Sequence, residues 1–152
     1  MLGSLRQVVD LAQVVQAQLN KAGFEIALNV QEQGRFIQDW RGGNFQAFVS
    51  LNSGGPDPDD YFGRTFTTGG ATNVFKYSDP ALDKLLADAR TSSEPAVRKR
   101  LYDAAQRILA CRGPVVHLVY GTLFTGIRED LKGYVPNPTR SLRGLRDAYI
   151  GQ

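Results

Sequence analysis

The stretch FEIALNVQEQGRFIQDWRGGNFQAFVSL, residues 24–51, decides the fold. Its first eight residues alternate. Phe24, Ile26, Leu28 and Val30 fall on one face and Glu25, Asn29 and Gln31 on the other, which is the period of a half-buried strand. RFIQDWR, residues 35–41, predicts a short helix ended by Gly42 and Gly43, and FQAFVSL, residues 45–51, predicts a second strand. Phe48 breaks the alternation there, so both faces of that strand are expected to be covered. Strand, short helix and strand in about 28 residues make a minimal parallel crossover unit. Its hand is right by strong default.

Working outward, residues 5–22 read as a helix. Val8, Leu11, Val15 and Leu19 recur at helical spacing, Ala12 and Ala22 widen the stripe, and Gly23 follows as a stop. A helix feeding a strand implies a strand before the helix. MLGS is read as unable to supply it, so the expectation is an incomplete lobe that begins inside a larger protein.

Downstream, Asp79-Pro80 is a helix start, an acidic N-cap followed by proline at the first helical position. Leu82, Leu85, Leu86 and Ala89 form its apolar face. A second helix restarts near Ser93, with Val97, Leu101, Ala104, Ala105, Ile108 and Leu109 in its stripe. VVHLVY, residues 115–120, is apolar enough for a central strand, and residues 134–152 read as an irregular tail. The expected organisation is an α/β lobe over 1–133, with a mixed sheet flanked by helices, and the tail over 134–152.

Composition narrows the function classes. The chain has 152 residues, 42% hydrophobic, 10% aromatic and 22% charged, with a formal net charge of +3. This fits one folded domain with a real core. The basic residues are scattered rather than blocked together, which argues against nucleic-acid binding. No apolar run approaches the roughly 20 residues that cross a bilayer. The opening residues lack the apolar core of a secretory signal. A single cysteine, Cys111, leaves no internal disulfide and no cysteine-rich zinc site. It reads as a small buried apolar residue.

The loop NSGGPDPDDYFGRTF, residues 52–66, follows the second strand directly. Counting from Asp57 as the first position of a calcium loop, the sixth residue is Phe62 and the twelfth Thr68, where glycine and glutamate are needed. A phosphate cradle fails too, because the glycines are followed by three carboxylates. His117, the only histidine, reads as structural within its apolar strand. No nucleophile elbow or zinc-protease motif is present. A hydrolase or transferase using Asp57 and Asp59 is the alternative from another class. In open α/β sheets ligands bind at the carboxyl ends of strands. Gly54 and Gly55 would let backbone amides approach a ligand, Asn52 offers both a donor and an acceptor, and Phe62 an apolar wall. A surface turn with no ligand reads equally well from these residues alone.

A resemblance separates the two readings. The ordered segments LAQVVQAQLNKAGFEIALNVQEQG, GGNFQAFVSLNSGGPDPDDYF, TNVFKYSDPALDKLLADAR, RKRLYDAAQRILACRGPVVHLVY and GIREDLKGYVPNP resemble the C-terminal part of family 5 extracellular solute-binding proteins. The likeness runs over about residues 8 to 138. It implies one lobe of a type II periplasmic-binding-protein fold, present as a fragment, with no enzymatic activity and no cofactor. It further implies a small solute, a peptide, sugar or similar compound, bound between two lobes, and an ABC permease as partner. The location implied is periplasmic or extracellular, off the membrane, and removal of the opposite lobe would favour self-association. By the same resemblance, Gln33 and Trp40 take cleft-facing positions and Leu51, Asn52, Ser53 and Gly54 part of the cleft wall, with Asp57 and Phe62 added from the loop; Asn73 and Tyr77 match the family's Asn and Tyr ahead of the following helix, where Asn73 serves either to contact the ligand or to tie that loop down. Gly54 stands where peptide binders of the family carry an aspartate, so Asp57 or Asp59 would have to meet a ligand's amine.

Overall fold

The computed structural model describes residues 1–52, 55–122, 124–137 and 141–151. They form two compact units, Met1–Pro114 and Val115–Gln152. The division falls before the predicted central strand rather than at 133.

In the first unit, β1 (Leu2–Gly3) is followed by α1 (Arg6–Lys21), β2 (Val30–Gln31) and α2 (Gln33–Gly42). β1 runs parallel to β2, pairing Leu2 with Val30 and Gly3 with Gln31, and Leu2 also bridges Val49 in parallel. The expectation that MLGS supplies no strand is therefore corrected. Leu2 and Gly3 are that strand, and they sit between β2 and Val49. The Leu2 N–H donates to the Asn29 carbonyl at 3.1 Å, and the Val49 N–H donates to the Met1 carbonyl at 3.1 Å. Sequence periodicity could not find β1, because two residues are too short to alternate.

The same shortness corrects the first predicted strand, which was expected over 24–31 but pairs only at Val30–Gln31. Upstream of it, α1 side chains take over the backbone bonds. Gln16 Nε2 donates to the Ile26 carbonyl at 2.7 Å, and the Ile26 N–H donates to Asn20 Oδ1 at 3.2 Å. Ile26 and Leu28 are half-buried, but Phe24 and Val30 are exposed. The second predicted strand likewise reduces to the single bridge at Val49. The crossover itself stands: β2, α2 and Val49 follow one another, and both flanks run parallel to β1.

α2 starts on Glu32, whose side chain accepts from the Gly34 and Arg35 N–H groups, and ends at Gly43 in a left-handed conformation with φ 71°. That geometry suits glycine. Leu2, Val8 and Ala12 form the core under β1, with Val9, Leu28 and Val49 against it. A row of rings lies nearby. Phe48 meets Phe36 and Phe45 edge-on, with centroids at 6.4 and 4.9 Å, and stacks on Phe75 at 5.6 Å.

Three more helices complete the unit: α3 (Asp59–Phe66), α4 (Pro80–Thr91) and α5 (Pro95–Arg112). α4 packs against both α3 and α5. Phe66 of α3, Leu82, Leu86 and Ala89 of α4, and Tyr102, Ala105 and Leu109 of α5 are buried. The Asp79 cap is as predicted, its Oδ1 accepting from the Ala81 and Leu82 N–H groups at 2.9 and 3.2 Å. Cys111, expected to be buried, is exposed in the last turn of α5.

In the second unit, β3 (Leu131–Lys132) pairs antiparallel with β4 (Tyr149–Ile150), and a 3-10 helix spans Leu142–Asp147. The tail predicted to be irregular thus carries a helical turn and a strand. VVHLVY is not a central strand. The sheets among the described residues are β1–β2 and β3–β4, and Val116 and Tyr120 are 81% and 87% exposed. An apolar run becomes a buried strand only when another strand supplies its hydrogen bonds. His117 is correspondingly exposed, its ring stacked 6.2 Å from that of Tyr120.

Candidate ligand-binding rim

Because β1, β2 and Val49 are parallel, their carboxyl ends form one rim. The residues that continue from it are Glu32 and Gln33 after β2, and Ser50, Leu51 and Asn52 after Val49. The Gln33 carboxamide lies over β1: a Cβ at Gly3 would stand 2.7 Å from Gln33 Oε1. Leu51 is 55% exposed and Asn52 is exposed. The topology therefore brings Gln33, Leu51 and Asn52 to one edge. Ser53 and Gly54 lie outside the described residues.

The other predicted residues are engaged elsewhere. Trp40 is half-buried, seven positions after Gln33 on α2 and so about 10 Å further along the helix axis. The Phe62 ring packs on Tyr102 and Phe66, with centroids at 5.6 and 6.2 Å. Asn73 closes a turn, its Nδ2 donating to the Thr67 and Tyr77 carbonyls at 2.9 and 2.7 Å while its Oδ1 accepts from the Tyr77 N–H at 3.0 Å. Asn73 also borders a shallow depression of about 180 Å³ shared with Arg41, Gly43, Gly70 and Lys76. Gln33, Leu51 and Asn52 do not line that depression.

Asp57 lies just ahead of α3 and ties its start down. Its Oδ1 accepts from the Asp59 N–H at 2.9 Å, and its two oxygens lie 2.7 and 2.8 Å from Arg98 Nη2. The Asp59 amide and then Arg98 hold its carboxyl below the usual carboxylate range. Asp59 receives Arg90 on both oxygens, at 2.9 and 3.1 Å. Gly63 leaves room for that pair, since a Cβ there would stand 2.5 Å from Arg90 Nη2 and 2.8 Å from Asp59 Oδ1. At the rim, Glu32 is likewise held low, by the Gly34 and Arg35 amides. Asp39, buried on α2, is held low by Arg35 and Gln31.

α3 was missed because its opening, DPDD, reads as a turn. Its usable signal was two acids in the first turn with Phe62 and Phe66 one turn apart. Nothing in the spacing marks the ion pairs, whose partners are 31 and 41 residues apart. Among the described residues no three His, Cys, Asp or Glu side chains gather as a metal site. No helix there is long and apolar enough to cross a membrane.

No protein-family model matches the chain. It is 30% identical over 131 residues to di/tripeptide-binding protein 4 of Pseudomonas aeruginosa, covering 84% of this chain and 25% of that protein. It is 26% identical over 132 residues to the dipeptide-binding protein of Escherichia coli, with the same two coverages, 84% and 25%. In fold it is similar to the murein tripeptide binding protein MppA of Escherichia coli, with a TM-score of 0.77 over 99% of this chain and 30% of that one, at 24% identity. The chain spans about a quarter of the length of the curated relatives it matches. Its α/β architecture is that of one lobe of a periplasmic binding protein. Over 84% of its length, the chain matches a part of the family 5 extracellular solute-binding proteins.

Proposed function

We propose that this chain supplies one wall of the solute cleft of an ABC importer's binding protein, and that it is not an enzyme. The observation that carries the reading is the parallel crossover. Its carboxyl rim presents Gln33, Leu51 and Asn52 to solvent, at the edge where open α/β sheets hold ligands. The whole protein would enclose a small solute between this lobe and a second one. It would work in the periplasm or outside the cell and signal an ABC permease by closing. The hydrolase or transferase alternative gains no support, because Asp57 and Asp59 are already paired with arginines.

Half a cleft binds weakly, so the test is an amide-resolved NMR titration of the ¹⁵N-labelled chain. The probes are millimolar alanyl-alanine, N-acetyl-alanyl-alanine and sucrose, each alone. Shifts centred on Gln33, Leu51 and Asn52, reduced in Asn52→Ala, are expected with at least one probe. Shifts confined to the Arg41–Lys76 depression, or none with any probe, overturn the reading.

A further inference from the structure

The acidic loop invites the idea of a cation site, and its hydrogen bonds argue the reverse. Between Leu51 and Phe62 the ionisable side chains other than Tyr61 are Asp57, Asp59 and Asp60. Both oxygens of Asp57 are on Arg98, and one also takes the Asp59 amide. Arg98 is itself fixed, 3.3 Å from the Tyr102 hydroxyl and with its guanidinium 5.6 Å from the ring centroid. Both oxygens of Asp59 are on Arg90. Asp60 turns back on its own loop, its Oδ2 accepting from the Gly55 N–H at 2.7 Å. On the other side of β1, Glu32 is spent on the first amides of α2, at 2.8 and 3.3 Å. Thus two of the three loop carboxylates are neutralised by arginine, and the third, like Glu32, keeps its charge but is turned onto backbone amides of its own segment.

An ammonium enclosed against this rim in the cleft of the whole protein would lose its water. Losing water costs several kcal/mol unless a free opposite charge replaces it. Detaching Asp57 or Asp59 from its arginine would leave the arginine uncompensated instead. We infer, on the proposed function, that this wall takes a solute whose facing end is uncharged, such as an N-blocked peptide end, rather than the ammonium of a free peptide.

The same NMR titration, read as affinity, tests it on the chain as it stands. N-acetyl-alanyl-alanine is expected to shift Gln33, Leu51 and Asn52 at a concentration no higher than alanyl-alanine needs. Arg98→Gln, which frees Asp57, should improve alanyl-alanine relative to the blocked peptide by about two- to fivefold, the range of an exposed ion pair. Arg90→Gln, which frees Asp59, is the second variant should the first fail to fold. Tighter binding of alanyl-alanine by tenfold overturns the inference but leaves the rim reading intact. A preference for the free amine that disappears in Asp60→Asn also overturns it, by placing the ammonium on Asp60. Absence of rim shifts with either peptide removes the rim reading, and this inference falls with it.

Discussion

Leu2→Ala tests the least expected element of the fold. Leu2 is 1% exposed and packs with Val8, Ala12, Val9, Leu28 and Val49. The substitution removes three carbons from a closed site. At about 0.8 kcal/mol per buried methylene this is roughly 2.4 kcal/mol of transfer free energy. The residual cavity raises the total to about 3 kcal/mol. The backbone bonds through Asn29 and Met1 remain, so the loss is one of packing alone. For a unit of this size that is a large share of the net stability, which is typically about 5–15 kcal/mol. Urea unfolding followed by Trp40 fluorescence reports on this unit, because the only tryptophan lies on α2. The control is Leu5→Ala, since Leu5 is 53% exposed and a change there should stay within about 0.5 kcal/mol. If Leu2→Ala matched that control, β1 would not be seated in the sheet. The parallel rim built on it would then lose its basis.

Two further outcomes are expected. Asn73→Ala should cost about 2 kcal/mol in urea unfolding, because three partly buried hydrogen bonds at the Thr67–Tyr77 turn are lost. An unchanged midpoint would return Asn73 to the pool of ligand residues. The Asp57 carboxyl lies below its ordinary value, through the Asp59 amide first and Arg98 second. Its contribution is therefore present above the unfolded carboxylate range and lost as pH falls through the folded value. Asp57→Asn should flatten the acid limb of stability against pH. An acid limb identical to that of the unsubstituted chain would show that the Arg98 pair contributes nothing.

The helices were legible because their signals are local. The Asp79-Pro80 start, the stop at Gly42–Gly43 and the stripes of α1, α4 and α5 all lie within a few turns of chain. α3 was the exception, since the same DPDD residues serve equally as a turn and as a helical first turn. The strands were poorly legible. FEIALNVQ and VVHLVY have strand composition, yet the first pairs over two residues and the second forms no described sheet. At the rim, the positions of Leu51 and Asn52 after a strand could be read from order along the chain. The loop carboxylates could not be assigned, because their partners lie far away in sequence.

The amino-acid sequence by itself determined α1, α2, α4 and α5 and the strand–helix–strand order of the crossover. Both follow from periodicity and capping, which act between neighbours along the chain. Only the tertiary structure decided that Leu2 and Gly3 form the middle strand, and that the charges of Asp57 and Asp59 are cancelled by Arg98 and Arg90. Strand pairing and ion pairing join residues tens of positions apart, at distances that spacing in the sequence does not encode.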